Sequence, residues 1–182
     1  MASSRRPLPL PEVESRLRAR FGDDIVEFSD QFGHGVATVT PERYHDVASF
    51  LHDDPDFDLD FIDFSGGVDK EDAGFEVVTH LYSTTHNHHV RVKVRLPHSE
   101  PDAEPEQSPH LQTISDVYPG ANWHEREIRE MFGIEFDGHP QPVKLLLPEP
   151  FEGHPLRKDF ALMSREAKPW PGAVEGEEEE EE

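Results

Sequence analysis

The chain has 182 residues, 34% of them hydrophobic and 31% charged, with a formal net charge of -22 and no cysteine. So acidic a surface lacks the basic footprint that DNA, RNA or anionic lipid requires. The missing thiols exclude disulfides, a cysteine nucleophile and cysteine-held zinc or iron–sulfur centres.

No apolar run reaches the roughly 18 residues of a membrane span. The arginines at positions 5 and 6 are not followed by the apolar stretch of a secretory signal. Membrane association is therefore expected to run through partners. Glu175 and residues 177–182 concentrate acidic charge at the end of the chain, which predicts a solvated, disordered tail there.

The elements follow in order. Pro11 and Glu12 in a first turn, apolar residues at Val13, Leu17 and Phe21, and Gly22 as a stop predict a helix over 10–21. Residues 25–28 and 36–39 read as short strands joined through Gly33-His34-Gly35. Thr40 is placed to cap a helix whose apolar stripe is Tyr44, Val47, Ala48 and Leu51.

Residues 57–64 alternate Phe and Leu with Asp, which predicts a strand with its apolar side inward, ended by Gly66-Gly67. Residues 75–82 and 90–96 form an expected hairpin. In its second strand Val90, Val92 and Val94 alternate with Arg91, Lys93 and Arg95. Residues 97–109 read as a surface loop, and 111–117 and 123–132 as helices separated by Pro119-Gly120.

From Gly138 onward, prolines at 140, 142, 148, 150 and 155 leave little room for helix or central strand. A stretch that is irregular yet partly apolar predicts an extended arm docked on another surface. The fold class expected is α+β, a small mixed, mostly antiparallel sheet with flanking helices plus that irregular C-terminal arm. The expected division is a flexible N-terminus over 1–9, the α+β domain over 10–136, the docking arm over 137–168 and the acidic tail over 169–182.

Familiar catalytic and ligand patterns fail one by one. Gly33-His34-Gly35 lacks the third glycine of a dinucleotide loop, and no Walker lysine is present. Aligning Asp54, Asp56 and Asp58 with a calcium loop puts Leu59 where glycine is needed and Ser65 where glutamate is needed. His86, His88 and His89, with His80 nearby, offer imidazoles for nickel or zinc. The plainer reading is a polar, solvent-facing turn. His124-Glu125 lacks the second histidine of a zinc-protease helix.

At about 100° per residue, the helix over 123–132 gathers Trp123, Ile128, Met131 and Phe132 on one broad arc. Glu125, Arg126, Arg129 and Glu130 fall opposite, as i,i+4 pairs of modest value. Glu127 lands inside the apolar arc, where a carboxylate needs a partner. Arg157 or Lys158 is the expected one, so that Glu127 pins the arm to the domain. Gly133 fits the position just past the helix end, followed by apolar Ile134.

These residues carry a resemblance. Glu125-Arg126-Glu127, Met131-Phe132-Gly133-Ile134, Phe136, Gly138-His139-Pro140 and Gly153-His154-Pro155-Leu156-Arg157-Lys158-Asp159 stand in one order. The series resembles the signature of the 30 kDa subunit (C-subunit) family of respiratory NADH:quinone oxidoreductase, complex I. Gly67-Val68-Asp69 and Arg91-Val92-Lys93-Val94 upstream are similar to the same family. One departure is that Pro142-Val143-Lys144 keeps a single cation where the family usually has an arginine pair. Another is glutamate at position 130, where aspartate is common.

The resemblance implies a non-catalytic component of the hydrophilic arm, its motif residues serving docking and holding no metal or cofactor. Its extended segment would lie on the D-subunit, which with the neighbouring B-subunit builds the quinone site. FMN, iron–sulfur clusters and quinone would belong to other subunits of the proton-translocating complex. The chain would be peripheral, on the cytoplasmic face of the cell membrane. Two alternatives stay open: a homologous component of a membrane-bound hydrogenase or other-donor dehydrogenase, and a histidine-based metal-binding protein.

Overall fold

The computed structural model describes residues 7–100 and 105–160. The expected acidic tail, and the end of the arm past residue 160, lie outside the described residues. Helices α1 (Leu10–Phe21) and α2 (Tyr44–Asp53) form where the apolar spacing predicts them. Val13 and Leu17 of α1 are buried, as are Tyr44, Val47, Ala48 and Leu51 of α2. Gly22 ends α1 at φ 58°, a value glycine adopts without Cβ strain. Thr40 does not cap α2; its hydroxyl meets Asp24, and a 3-10 turn, Pro41–Arg43, leads into the helix.

The sheet contains β1 (Ile25–Gln31), β2 (His34–Val39), β3 (Phe61–Asp69), β4 (Phe75–Ser83) and β5 (His88–Leu96), in the order β1-β2-β5-β4-β3. Every pairing is antiparallel except β2 with β5. Val90, Val92 and Val94 point to the core, together with Ala37, Val39, Val77 and Leu81, and the buried apolar side chains of α1 and α2, with Ala121, Ile128, Met131 and Phe132, join them there. Among the described residues no helix covers the opposite face, where Arg91, Lys93 and Arg95 project. Tyr44, Thr79 and Ser65 link their hydroxyls inside the core at 2.8 and 2.9 Å, so each buried oxygen has a partner.

Two expected elements are different. The strand expected over 57–64 begins only at Phe61, because Asp58 takes φ 45° and the backbone turns there. Phe57 and Leu59 are still buried, but from a loop, and Asp60 accepts the Thr84 amide and hydroxyl. Strand β3 then runs through Gly66-Gly67 instead of ending at them, and Phe61 and Phe64 face outward, 50% and 49% exposed. The region expected to be helical over 111–117 forms β6 (His110–Gln112), which pairs in parallel with β7 (Glu135–Asp137), followed by a tight turn at Ile114.

The glycines in β3 serve packing. A Cβ at Gly67 would lie 2.6 Å from a ring carbon of buried Phe132, so glycine lets α3 (Ala121–Phe132) lie close on the sheet. Gly67→Ala is expected to cost about 1–3 kcal/mol, measured as a lower urea midpoint with unchanged m-value. An unchanged midpoint would show that the contact is looser than it looks.

Candidate docking site on the third helix and the C-terminal arm

Helix α3 buries two sides, and that explains its sequence. At about 100° per residue, Ala121, Ile128 and Phe132 share the core-facing side, and Glu125 stands at its margin. All four are buried. Arg126, Arg129 and Glu130 occupy the next sector, and the chain after Gly138 lies over them. Trp123 and Glu127 share the remaining sector and are exposed, Trp123 by 64%.

This corrects the expected orientation. Trp123 does not belong to the buried arc, and Glu127 is not paired with Arg157 or Lys158. The pinning carboxylate is Glu130 instead. Its two oxygens accept the amides of Leu145 and Leu146 at 2.6 and 2.8 Å.

Beside it, Arg126 donates to the carbonyls of Val143 and Lys144, and Arg129 donates to the carbonyl of Pro142 and to Glu135. Lys144, the one cation kept in its stretch, closes a loop by donating to the carbonyl of Phe151 at 2.6 Å. The expected i,i+4 pairs Glu125–Arg129 and Arg126–Glu130 give way to these contacts. An irregular chain has no backbone partners of its own; here the polar side of a helix supplies them.

The two Gly-His-Pro triplets act as matching clasps. Gly138 and Gly153 both take φ 81°. The His139 ring donates from Nε2 to the carbonyl of Asn122 in the first turn of α3, while its Nδ1 accepts the Gln141 amide. The His154 ring donates from Nδ1 to the carbonyl of Glu130 in the last turn and lies against Gly133, where a Cβ would meet it at 2.6 Å. These bonds suit neutral imidazoles, and burial pushes both pKa values down. Pro140 and Pro155 follow each clasp and keep the chain from re-entering helix.

Gly133 itself sits at φ 74° and caps the helix, with Ile134 fully buried behind it, and Met131 and Phe132 are buried as expected. The final motif reaches from the end of α3 to the β3–β4 connection. The Leu156 amide donates to the carbonyl of Met131, and the Lys158 amide to Asp69. Arg157 is buried, donates to Ser99 and the carbonyl of Glu100, and stacks its guanidinium 4.8 Å from the Phe75 ring centre. Asp159 faces His98 at 3.7 Å.

Glu125 lies at the arm's origin and is 1% exposed. It accepts the Thr113 hydroxyl and, at 2.8 Å, the Ile114 amide, with His139 Nε2 at 3.7 Å. Burial pushes its carboxyl up to about 7 despite those donors.

The histidines around the hairpin turn hold backbone. His86 is buried rather than facing solvent and donates to the carbonyl of Pro55; His88 donates to the carbonyl of Phe57 and accepts the Leu8 amide. Among the described residues no group of three histidine or acidic side chains is placed to hold a metal ion. Likewise, no described helix is long and apolar enough to cross a membrane.

Glu130 and Arg129 matter more to the site than the sequence suggests, because a Glu–Arg run on a helix reads as a wet surface. Outward from these anchors, Val143, Leu146 and Leu156 stand 49%, 61% and 54% exposed. Residues 37–166, which contain this entire site, match the family described as respiratory-chain NADH dehydrogenase, 30 Kd subunit. The chain belongs to that family.

Members of the 30 kDa-subunit family resemble it over most of its length. It is 41% identical over 158 residues to the C-subunit of NADH-quinone oxidoreductase from Roseiflexus castenholzii, covering 86% of each chain. Identity to the corresponding C 2 protein of Rhizobium etli is 39% over 162 residues, covering 88% of this chain and 82% of the other. The C/D-subunit of NADH-quinone oxidoreductase from Chromohalobacter salexigens is 38% identical over 93% of this chain, which corresponds to 29% of that longer protein. The fold is similar to a chain of the membrane-bound sulfane sulfur reductase, an archaeal respiratory membrane complex. The TM-score is 0.65 at 21% identity, over 84% of this chain and 86% of the other. At that identity the likeness concerns the fold alone.

Proposed function

We propose that this chain is the non-catalytic C-subunit of a proton-translocating NADH:quinone oxidoreductase. In this reading it sits in the hydrophilic arm, on the cytoplasmic side of the membrane, and braces the quinone-reducing module. The observation that carries the proposal is the arm: Arg126, Arg129 and Glu130 hold its backbone from beneath, and Val143, Leu146 and Leu156 point away from the domain. Apolar side chains displayed on a fixed, irregular chain suit a surface that is buried on assembly.

The D-subunit is the proposed partner of the arm, with the B-subunit its neighbour. The relative bearing the double letter C/D supports this, because a segment like this chain occupies part of that one longer polypeptide. FMN, iron–sulfur clusters and quinone are assigned to other subunits. With no cysteine, this chain offers no thiolate to a cluster.

Removing the arm outright would also strip Glu130 and Arg157 of their contacts, so outward positions give the cleaner test. A tagged chain carrying Leu146→Asp and Leu156→Asp is expected to keep the unfolding midpoint of the unaltered chain. It should lose co-purification of the D-subunit, and NADH:quinone activity, by roughly tenfold or more, since two apolar contacts are replaced by buried charge. Retention equal to that of the unaltered chain would defeat the proposal.

A further inference from the structure

The root of the arm holds two ionisable side chains that are nearly out of water and close together. The side chains of Glu125 and His139 are 1% and 2% exposed, with Glu125 Oε2 3.7 Å from His139 Nε2. The bonds of the ring fix its proton. The Gln141 amide donates to His139 Nδ1, so the hydrogen sits on Nε2 and goes to the Asn122 carbonyl at 3.2 Å. A second proton would sit on Nδ1, against the Gln141 N–H, and break the clasp.

Glu125 is held in a way that suits two charge states. Oε1 accepts the Ile114 amide, while Oε2 meets the Thr113 hydroxyl. Thr113 Oγ1 also accepts the Ser115 amide at 3.1 Å and lies 2.7 Å from Ser115 Oγ. A hydroxyl changes from donor to acceptor by rotating. With Glu125 ionised, Ser115 donates to Thr113 and Thr113 to Oε2. With Glu125 protonated, Oε2–H donates to Thr113 and Thr113 to Ser115. Either state is bonded without a heavy atom moving. Thr113 is buried and Ser115 half-buried, so the same chain leads the proton out. It passes from Oε2 to Thr113, whose own goes to Ser115, whose own goes to water.

The surroundings decide what ionisation does. Asp116 opposes a charge on Glu125, and His45, which Asp116 binds at 2.9 Å, favours it. Arg126 and Arg129 oppose a charge on His139. Asp137, on the strand before Gly138, is turned to His110, and the Tyr44 hydroxyl is turned to Thr79. An ionised Glu125 is therefore a charge in a dry site beside an imidazole that stays neutral. A charged acceptor outcompetes a carbonyl, so the His139 Nε2–H turns toward Oε2 and lets go of Asn122.

We infer that Glu125 and His139 form a proton-linked latch at the root of the arm, closed while Glu125 holds its proton and loosened when Glu125 releases it through Thr113 and Ser115. The latch regulates the docking surface proposed above and depends on that reading for its consequence: the chain runs from His139 straight to the displayed Val143. Closed Glu125 titrates near 7 and a hydrated one near 4.5, so opening releases a proton and is favoured as pH rises between these values. Protonation of His139 opens the same clasp from the acid side.

Amide hydrogen exchange on the full chain tests the latch. Protection of the Gln141 amide is compared between the unaltered chain and Glu125→Gln, which cannot ionise. The ratio, unaltered over variant, is expected to fall by roughly tenfold or more between about pH 5 and about pH 8. Val92, in the middle of the sheet, reports unfolding of the whole domain. A level Gln141 ratio, or Gln141 protection equal to that of Val92 throughout, overturns the latch. Neither touches the proposed function, which is tested at Leu146 and Leu156. If that function fails while the Gln141 ratio falls, the latch stands as a property of the arm.

A second measurement needs no variant. Carboxyl-carbon NMR of the unaltered chain is expected to show Glu125 titrating near pH 7, with the His139 ring nitrogens shifting in the same step. A Glu125 carboxyl already ionised at about pH 5, or ring nitrogens that ignore the step, would sink the inference.

Discussion

Glu130→Ala is expected to destabilise the isolated chain by about 2–4 kcal/mol, because two amides lose their acceptor together in a partly dry site. The side chain is 5% exposed by residue, and its oxygens are the acceptors shown for the amides of Leu145 and Leu146. The arm then loses its central tether, while Arg126, Arg129 and the two histidine clasps remain. Urea unfolding measures the loss, and limited proteolysis within 139–160 should become faster before the domain itself is cut. Glu130→Gln keeps one carbonyl oxygen and is expected to lose about half as much. If alanine leaves both the midpoint and the cleavage rate unchanged, Glu130 is not what holds the arm.

The second large effect is a pH dependence centred on Glu125. Its folded pKa of about 7 lies above the ordinary carboxyl value of 4.5, so between these values the folded chain holds the proton more tightly than the unfolded chain. The stability this contributes is fully present below about pH 4.5 and is lost as pH rises through 7. The total is on the order of 3 kcal/mol.

His139 has the opposite sign. Its pKa is pushed below the ordinary 6.5, so its contribution is present above that pH and is lost as pH falls through the folded value. Comparing the unaltered chain with Glu125→Gln isolates the carboxyl, since His139 titrates in both. The stability of the unaltered chain relative to the variant should fall steadily from about pH 4.5 to about pH 8 in denaturant unfolding. Parallel profiles would mean that the Thr113 and Ile114 donors hold Glu125 ionised throughout that range.

These two carboxylates show why part of the site is hidden from a sequence reading. In the sequence, Glu125 and Glu130 alternate with arginines on a helix, a pattern that normally faces water. Trp123, the largest apolar residue of the helix, draws the expected arc toward itself. The true burial pattern has a core side and an arm side, and Trp123 belongs to neither. Glu127 takes the expected pinning role only because it falls within that misplaced arc. No local period records a chain that returns from fifteen residues downstream to cover a helix, so Glu130 cannot be told from a solvated glutamate. Phe61 and Phe64 are misplaced for a related reason. Alternation gives the period of a strand but not which face is covered, and Asp58 changes the phase before the strand begins.

Where each signal is local, the sequence is sufficient. Gly22 and Gly133 stop their helices at positive φ, the Tyr44 stripe is buried, and Val90, Val92 and Val94 line the core. These rest on backbone sterics and on periods of 3.6 and 2, which act within a few residues. The ordered motifs from Glu125 to Asp159 place the family, and the absence of cysteine rules out thiolate-held redox centres. Tertiary structure alone decided that the arm lies on the polar side of α3, that His139 and His154 clasp its two ends, and that no helix among the described residues covers the sheet face bearing Phe61, Phe64 and Tyr82. Each of those depends on groups distant in sequence coming within a few ångströms, where a hydrogen bond or a buried charge is decided by the neighbour and not by the residue itself.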